Sequence, residues 1–331
     1  MTKDIDLSEA TAPGGELDVG NGWVPIDGFR GTLDGNGHYI KGLTMYGEVN
    51  QNYVGLFGNA YSPSSNFTVC NLGLVDVNIN ITMPKEKTYQ SSDWYVGGIV
   101  GRGFGGEISS CFVTGNITIQ SESSDGCVGG LAGTDVYLKE CYNAANVNVY
   151  KEDGTTYRDL YVGGLCGVTI CGSDTMLYNC GTINGGSGGA IAGRNGTGGH
   201  DDSGNNFYLQ GTGMGESATP HTETQMKNKN YFSKWDFTDA WEIDACSNYS
   251  YPQLRTCMQK RVKKMEIVNM PSKLEYEQGD EIDFSDGTVK LEYEDGYDVT
   301  IYITEDMIKN TYDTFLLGKQ QICIYKGLAN T

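Results

Sequence analysis

Histidine, proline and positive charge are all scarce in this chain. Its 331 residues hold three histidines, seven prolines and 23 Lys plus Arg against 42 Asp plus Glu. The net charge of -19 makes nucleic acid and anionic membranes poor partners. No apolar run reaches the roughly 18 residues of a membrane span, so membrane insertion is not expected. No window keeps a helical period, which predicts an all-β chain. With His38, His200 and His221 far apart in sequence, few general bases are on offer. Low proline is offset by 47 glycines, and 38% hydrophobic residues suffice for a long thin core. The chain reads as turn-dense rather than disordered.

A repeated block fills this frame. It reads Tyr53-Val54-Gly55-Leu56-Phe57-Gly58, then Tyr95-Val96-Gly97-Gly98-Ile99-Val100-Gly101. It returns as Cys127-Val128-Gly129-Gly130-Leu131-Ala132-Gly133 and Tyr161-Val162-Gly163-Gly164-Leu165-Cys166-Gly167, with a degenerate Gly188-Gly189-Ala190-Ile191-Ala192-Gly193. Counted from Gly55, Gly97, Gly129, Gly163 and Gly188, the steps are 42, 32, 34 and 25 residues. Repeats of this length predict a solenoid whose units bury their apolar faces on each other. Each block is followed by a Cys and an alternating run. Val75, Val77 and Ile79 alternate with Asp76 and Asn78, Ile117 and Ile119 flank Thr118, and Val147 and Val149 flank Asn148. Period two with β-branched residues predicts strands. The expected architecture is a parallel β-helix over residues 1–258.

These blocks resemble the GLUG motif of bacterial surface proteins. The entry segment is similar to the same family, through Asp4-Ile5-Asp6-Leu7, Trp23-Val24-Pro25-Ile26 and Phe29-Arg30-Gly31-Thr32-Leu33-Asp34-Gly35-Asn36-Gly37-His38. So is the exit, through Trp235-Asp236-Phe237, Trp241 and Tyr251-Pro252-Gln253-Leu254. The resemblance implies a parallel β-helix on a secreted or surface-attached protein, and it carries no catalytic residues with it. The start at Met1-Thr2-Lys3-Asp4, directly on the entry motif and without a visible signal peptide, is expected of a piece of a longer secreted protein.

Residues 259–331 form a second expected domain. Val289, Leu291 and Tyr293 alternate with charged residues, and Tyr297, Val299, Ile301 and Ile303 alternate back across Asp295-Gly296. Asp-Gly between two such runs predicts a hairpin, because both turn residues must tolerate positive φ. With Pro271, Lys273, Tyr276, Gly279, Asp280, Asp286-Gly287 and Gly318, the stretch resembles bacterial Ig-like domains of the third group. That implies a small β-sandwich stalk, truncated before its last strand. The exit segment from Trp235 to Leu254 is expected to cap the solenoid end where the stalk abuts it.

Ten cysteines admit disulfides in a secreted chain or reduced, buried thiols. Cys70, Cys111, Cys141 and Cys180 share one position after each block, so an inward ladder of reduced thiols, fitting an anaerobic niche, is the expectation. Cys246 and Cys257 are the pair best placed for a disulfide. Cys166-x4-Cys171 lacks the second close pair of a zinc site.

Catalytic strings fail on context. Gly101-Arg102-Gly103-Phe104-Gly105-Gly106 satisfies G-x-G-x-x-G, but Ile108 to Ile119 reads as strand where a helix is needed. Gly185-Gly186-Ser187-Gly188-Gly189 satisfies G-x-S-x-G inside a glycine block rather than at a strand-to-helix elbow. His38 and the Asp34-Gly35-Asn36-Gly37 run read as a turn, with no Ca2+ loop of twelve residues ending in Glu. Asp76 has no acidic counterpart in later copies, so the paired carboxylates of a glycan-cleaving β-helix are not expected. Tyr53, Tyr95 and Tyr161 share a repeat position and are the candidate ligand-binding residues. They would form either an aromatic track for sugar rings or a ladder stacked within the solenoid. The leading expectation is an extracellular, non-catalytic, adhesin-like scaffold of a bacterial surface or cell wall. It would be monomeric and free of cofactor or metal, with a host or environmental glycan or protein as partner. A glycan-binding module and a polysaccharide-cleaving enzyme are the alternatives.

Overall fold

The computed structural model describes residues 1–60, 67–83, 94–121, 126–155, 160–169, 175–194, 205–214, 218–243, 250–257, 262–293, 298–303, 307–308, 315, 318–319 and 324. The chain divides into two compact units, Met1–Trp241 with Leu254–Cys257, and Glu242–Gln253 with Met258–Thr331.

The first unit is a parallel β-solenoid. Its long strands Phe67–Thr82, Val100–Gln120 and Tyr142–Tyr150 pair in parallel, with one register shift between Leu74 and Val77. A second parallel sheet stacks Tyr53–Val54, Trp94–Gly97, Gly126–Gly129 and Tyr161–Gly163. The repeated block is the corner between the two sheets. Val54, Val96, Val128 and Val162 are fully buried, and so are Ile99, Leu131 and Leu165. Backbone bonds run on through the corner, from Gly98 N to Gly130 O at 3.0 Å and from Gly130 N to Gly164 O at 2.9 Å.

Space, not φ, fixes the corner glycines. A Cβ on Gly97 would lie 2.5 Å from Ala132 Cα, and one on Gly129 2.5 Å from Leu165 O. The next rung's backbone passes where a side chain would start. In the fifth copy Gly189, not Gly188, pairs with Gly163, so the true register there is one residue later than the block alignment from Gly188.

The cysteine ladder needs correction. Leu72 pairs with Cys111, Phe112 with Tyr142, and Tyr142 with Tyr178. The inward column is therefore Leu72, Cys111, Cys141 and Leu177, all fully buried. Cys70 pairs with Ser109 and is half-buried. Cys180, also half-buried, lies three residues beyond Leu177 and bonds from its N to Asn143 O at 2.9 Å. The register is set one residue before each column member. Asn71, Ser110, Glu140 and Met176 all adopt φ between 49° and 59°, a left-handed corner that turns every coil at the same place. Asp76 is likewise a bulge residue, with φ 53° at a register shift between Leu74 and Val77. No residue of the next strand pairs with it in the register, and its backbone N–H donates to Thr114 Oγ1 there at 2.9 Å.

Trp235 of the exit segment packs on Phe207 of the penultimate strand and on Phe232, and Phe232 packs on His221 of the last strand. A one-turn helix, Glu223–Met226, and a short 3-10 turn, Lys229–Tyr231, come before this segment, and Trp235 and Trp241 then lie along the solenoid flank. Phe112, Tyr142 and Tyr178 point outward from successive rungs, with ring centroids 4.7 and 4.8 Å apart. Trp241 covers Tyr142 and Tyr178 at 6.3 and 5.9 Å, and Trp235 covers Tyr178 at 6.0 Å. An outward aromatic column is too apolar to leave wet, so the chain folds back along it. Cys257 ends this strap as a buried free thiol with Sγ 3.6 Å from Ser110 O. The expected bridge to Cys246, a residue outside those described, is therefore not formed.

In the second unit, Val262–Asn269, Thr288–Tyr293 and Asp298–Tyr302 form an antiparallel three-stranded sheet. Val289, Leu291, Ile303 and Met307 make its small core. The Asp295-Gly296 turn lies outside the described residues. Its flanking strands pair as a hairpin would, Glu292 opposite Asp298. Among the described residues there is one small sheet, not two packed sheets. No described helix is long and apolar enough to cross a membrane.

Candidate binding faces

Tyr53, Tyr95 and Tyr161 occupy one column of the second sheet, with Cys127 between Tyr95 and Tyr161. Two rungs, about 10 Å, separate those two tyrosines. Tyr53 and Tyr95 stack with centroids 5.9 Å apart. The Arg102 guanidinium lies 5.8 Å and 5.6 Å from the two ring centres, and its Nη1 donates to Tyr53 Oη at 3.3 Å. Arg194 repeats the arrangement on Tyr161, at 5.1 Å from the ring centre with Nη1 3.1 Å from the hydroxyl. The structure thus breaks the track into two tyrosine–arginine clusters. The alignment of the tyrosines does not show the arginines because they come from the next strand, at the column that pairs Asn59 with Arg102 and Val168 with Arg194.

The remaining candidates are structural. Gly101 to Gly106 lies inside the strand Val100–Gln120, so no helix N-terminus follows it. Ser187 Oγ is 3.2 Å from Val162 N and 3.4 Å from Val162 O. His38 Nδ1 meets Asp4 Oδ1 at 3.0 Å, a carboxylate rather than the backbone partner of an ordinary turn. His200 and Cys171 lie outside the described residues. Cys166 is buried with Sγ 3.0 Å from Val168 O.

Asp34 accepts from Asn36 N at 2.7 Å and Asn71 Nδ2 at 3.1 Å, and these bonds hold its carboxyl below the ordinary range. Asp18 accepts from the backbone N–H groups of Gly14, Gly20 and Gly22 and from the Tyr46 hydroxyl. Led by the Gly14 bond, these contacts hold its carboxyl well below the usual range. Both carboxylates are committed to loops of the entry segment.

One further face emerges from the register. Asn78, Asn116 and Asn146 align outward, as do Asn80, Thr118, Asn148 and Asn184, over the buried Ile79, Ile117, Val147 and Ile183. The alternation is legible as strand in the sequence, and the register adds which outward residues share a line.

Residues 92–118 match the family model described as the GLUG motif. The chain is 28% identical over 151 residues to Halomucin of Haloquadratum walsbyi (strain DSM 16790 / HBSQ001). That stretch is 45% of this chain and 2% of Halomucin. No solved structure matches.

Proposed function

We propose that this chain is a non-catalytic, adhesin-like display segment of a bacterial surface or cell-wall protein, working outside the cell. One observation carries the reading: the polar groups suited to chemistry are spent on holding coils together. Asp18 and Asp34 tie loops, Ser187 ties a corner, and the buried Asn143 and Asn179 bond each other and the backbone. The GLUG match and the similarity to Halomucin support a surface setting. The antiparallel C-terminal sheet supports an Ig-like stalk beyond the solenoid. The partner would be a glycan or protein of the host or surroundings, met by a monomer that neither enters a membrane nor holds nucleic acid. The test is antibody labelling and protease treatment of intact cells. Labelling and cleavage without lysis are expected, and a signal seen only after lysis overturns the reading.

A second reading is favoured by the stacked Tyr53 and Tyr95 beside Arg102. Tyrosine faces suit sugar rings and a guanidinium suits their acidic groups. In that reading the second sheet is an acidic-glycan site, and Tyr95→Ala would abolish capture of an acidic polysaccharide.

A further inference from the structure

Resting on the surface-scaffold reading, we propose that the outward face of residues 78–82, 116–120, 146–150 and 182–184 binds an extended neutral polysaccharide. The face is a lattice. Its rows are strands about 4.8 Å apart, and alternate residues along each strand stand roughly 6.7 Å apart. In-register pairing keeps Asn80, Thr118, Asn148 and Asn184 in one line across four rungs.

Strand formation does not explain this composition, because asparagine is depleted in strands while valine, isoleucine and threonine are enriched. The inward positions of the same strands follow that preference, with Ile79, Ile117 and Val147 all fully buried. The outward ones do not. Solubility does not explain it either. Charged residues make up 20% of the chain, and the neighbouring outward positions of the same coils carry Glu107 and Lys139. None of the lattice positions on these four segments is charged.

Half of the lattice is held in place and half is open. Asn146 Nδ2 donates to Asn116 Oδ1 at 3.1 Å, Asn184 Nδ2 to Asn148 Oδ1 at 2.7 Å, and Thr182 Oγ1 to Asn146 Oδ1 at 2.7 Å. These bonds fix amide rotamers before any ligand arrives, which lowers the entropy cost of binding. The side chains of Asn78, Asn80, Thr118 and Gln120 make no hydrogen bond to any described residue, and Asn78 and Asn80 are exposed. They offer both donors and acceptors.

Charge selects the occupant. An anionic chain would approach a protein of net charge -19 with no Lys or Arg on the face to receive it. A neutral chain of hydroxyls pairs with amides and hydroxyls without leaving a buried charge. Tyr150, beside Gln120 at the strand ends, adds an aromatic face of the kind sugar rings stack on. The other outward column, Phe112 to Tyr178, is already covered by Trp235 and Trp241.

The test is calorimetric titration of the full chain with cellohexaose, mannohexaose and xylohexaose, with polygalacturonate as the anionic comparison. At least one neutral hexasaccharide should bind, with affinity unchanged on raising salt. Asn80→Asp with Asn148→Asp keeps side-chain size on an exposed surface, and an unchanged melting temperature will show that it folds. It should bind about tenfold more weakly or worse, since an ionised carboxylate has lost the amide's donors. Lys139→Ala, off the lattice, should bind as the unaltered chain does. Binding of polygalacturonate alone, no neutral binding, or equal binding by the double variant overturns the assignment. Surface labelling of intact cells would survive each of those outcomes, so failure of this face is distinguishable from failure of the scaffold reading.

Discussion

Asn143 donates from Nδ2 to Oδ1 of Asn179 at 2.8 Å across one rung, with both side chains fully buried. Asn143 also bonds both backbone groups of Ala145, and Asn179 bonds Gly181 O and Thr212 Oγ1. The pair and the next rung's backbone together crowd the second glycine of its blocks. A Cβ on Gly130 would lie 2.2 Å from Asn143 Oδ1, and one on Gly164 2.7 Å from Asn179 Oδ1. In earlier rungs the same column holds Leu74 and Val113. Asn143→Leu removes the donor and leaves Asn179 Oδ1 buried and unpaired. The expected loss is about 1–3 kcal/mol, measured by denaturant unfolding. Equal stability would mean that the ladder does not hold these coils.

The left-handed corner gives a prediction of opposite sign. Asn tolerates positive φ better than a long side chain does. Met176, at φ 59°, occupies the position that Asn71 fills in an earlier coil. Met176→Asn should raise stability by up to about 1 kcal/mol, read as a higher melting temperature. A fall would show that Met176 packing outweighs its strain.

The solenoid was legible because glycine blocks and alternating runs are local and repeat. The corner was not, because Ser110, Glu140 and Met176 do not advertise a left-handed backbone as Gly or Asn would. Without it, counting from Cys put Cys70 and Cys180 in a column they do not join. The flank strap was illegible for a different reason. Phe112, Tyr142 and Tyr178 read as strand aromatics, and nothing local says that Trp235 and Trp241 return to cover them. Of the binding faces, the tyrosine column was visible from its repeat. The arginines over it were not, since only the fold brings the next strand alongside.

The thiols should separate by register. Burial pushes the Cys111 and Cys141 thiols well above their ordinary range and the Cys257 thiol up to about 12. Cys70 and Cys180 are half-buried. A thiol reagent on native protein should modify Cys70 and Cys180 well before Cys111, Cys141 and Cys257, as peptide mapping would show. Simultaneous labelling of all five would contradict the inward column.

Acid stability should carry a histidine step. His221 is buried against Phe207 at 4.3 Å, its Nδ1 has no hydrogen-bond partner among the described residues, and desolvation lowers its pKa below 6.5. The unfolded chain then binds a proton more readily than the folded one. Its contribution is complete above about pH 6.5 and is lost as pH falls through the lowered value, at no more than about 1.4 kcal/mol per unit. The carboxylate contributions of Asp18 and Asp34 fade only below their ordinary 3.8. Unfolding free energies of His221→Phe across pH 7 to 5 should lack the histidine slope, and an unchanged slope would refute its assignment.

We propose that this chain displays a binding surface and turns no substrate over. The direct measurement is a product screen of the full chain on pectins, mucin glycans, plant polysaccharides and casein, with and without Ca2+. Reducing ends, unsaturated uronates and new peptide termini are the readouts. None is expected above the level of heat-unfolded protein. Turnover of any one substrate, abolished by changing a single surface carboxylate in a variant that still folds, would contradict the proposal.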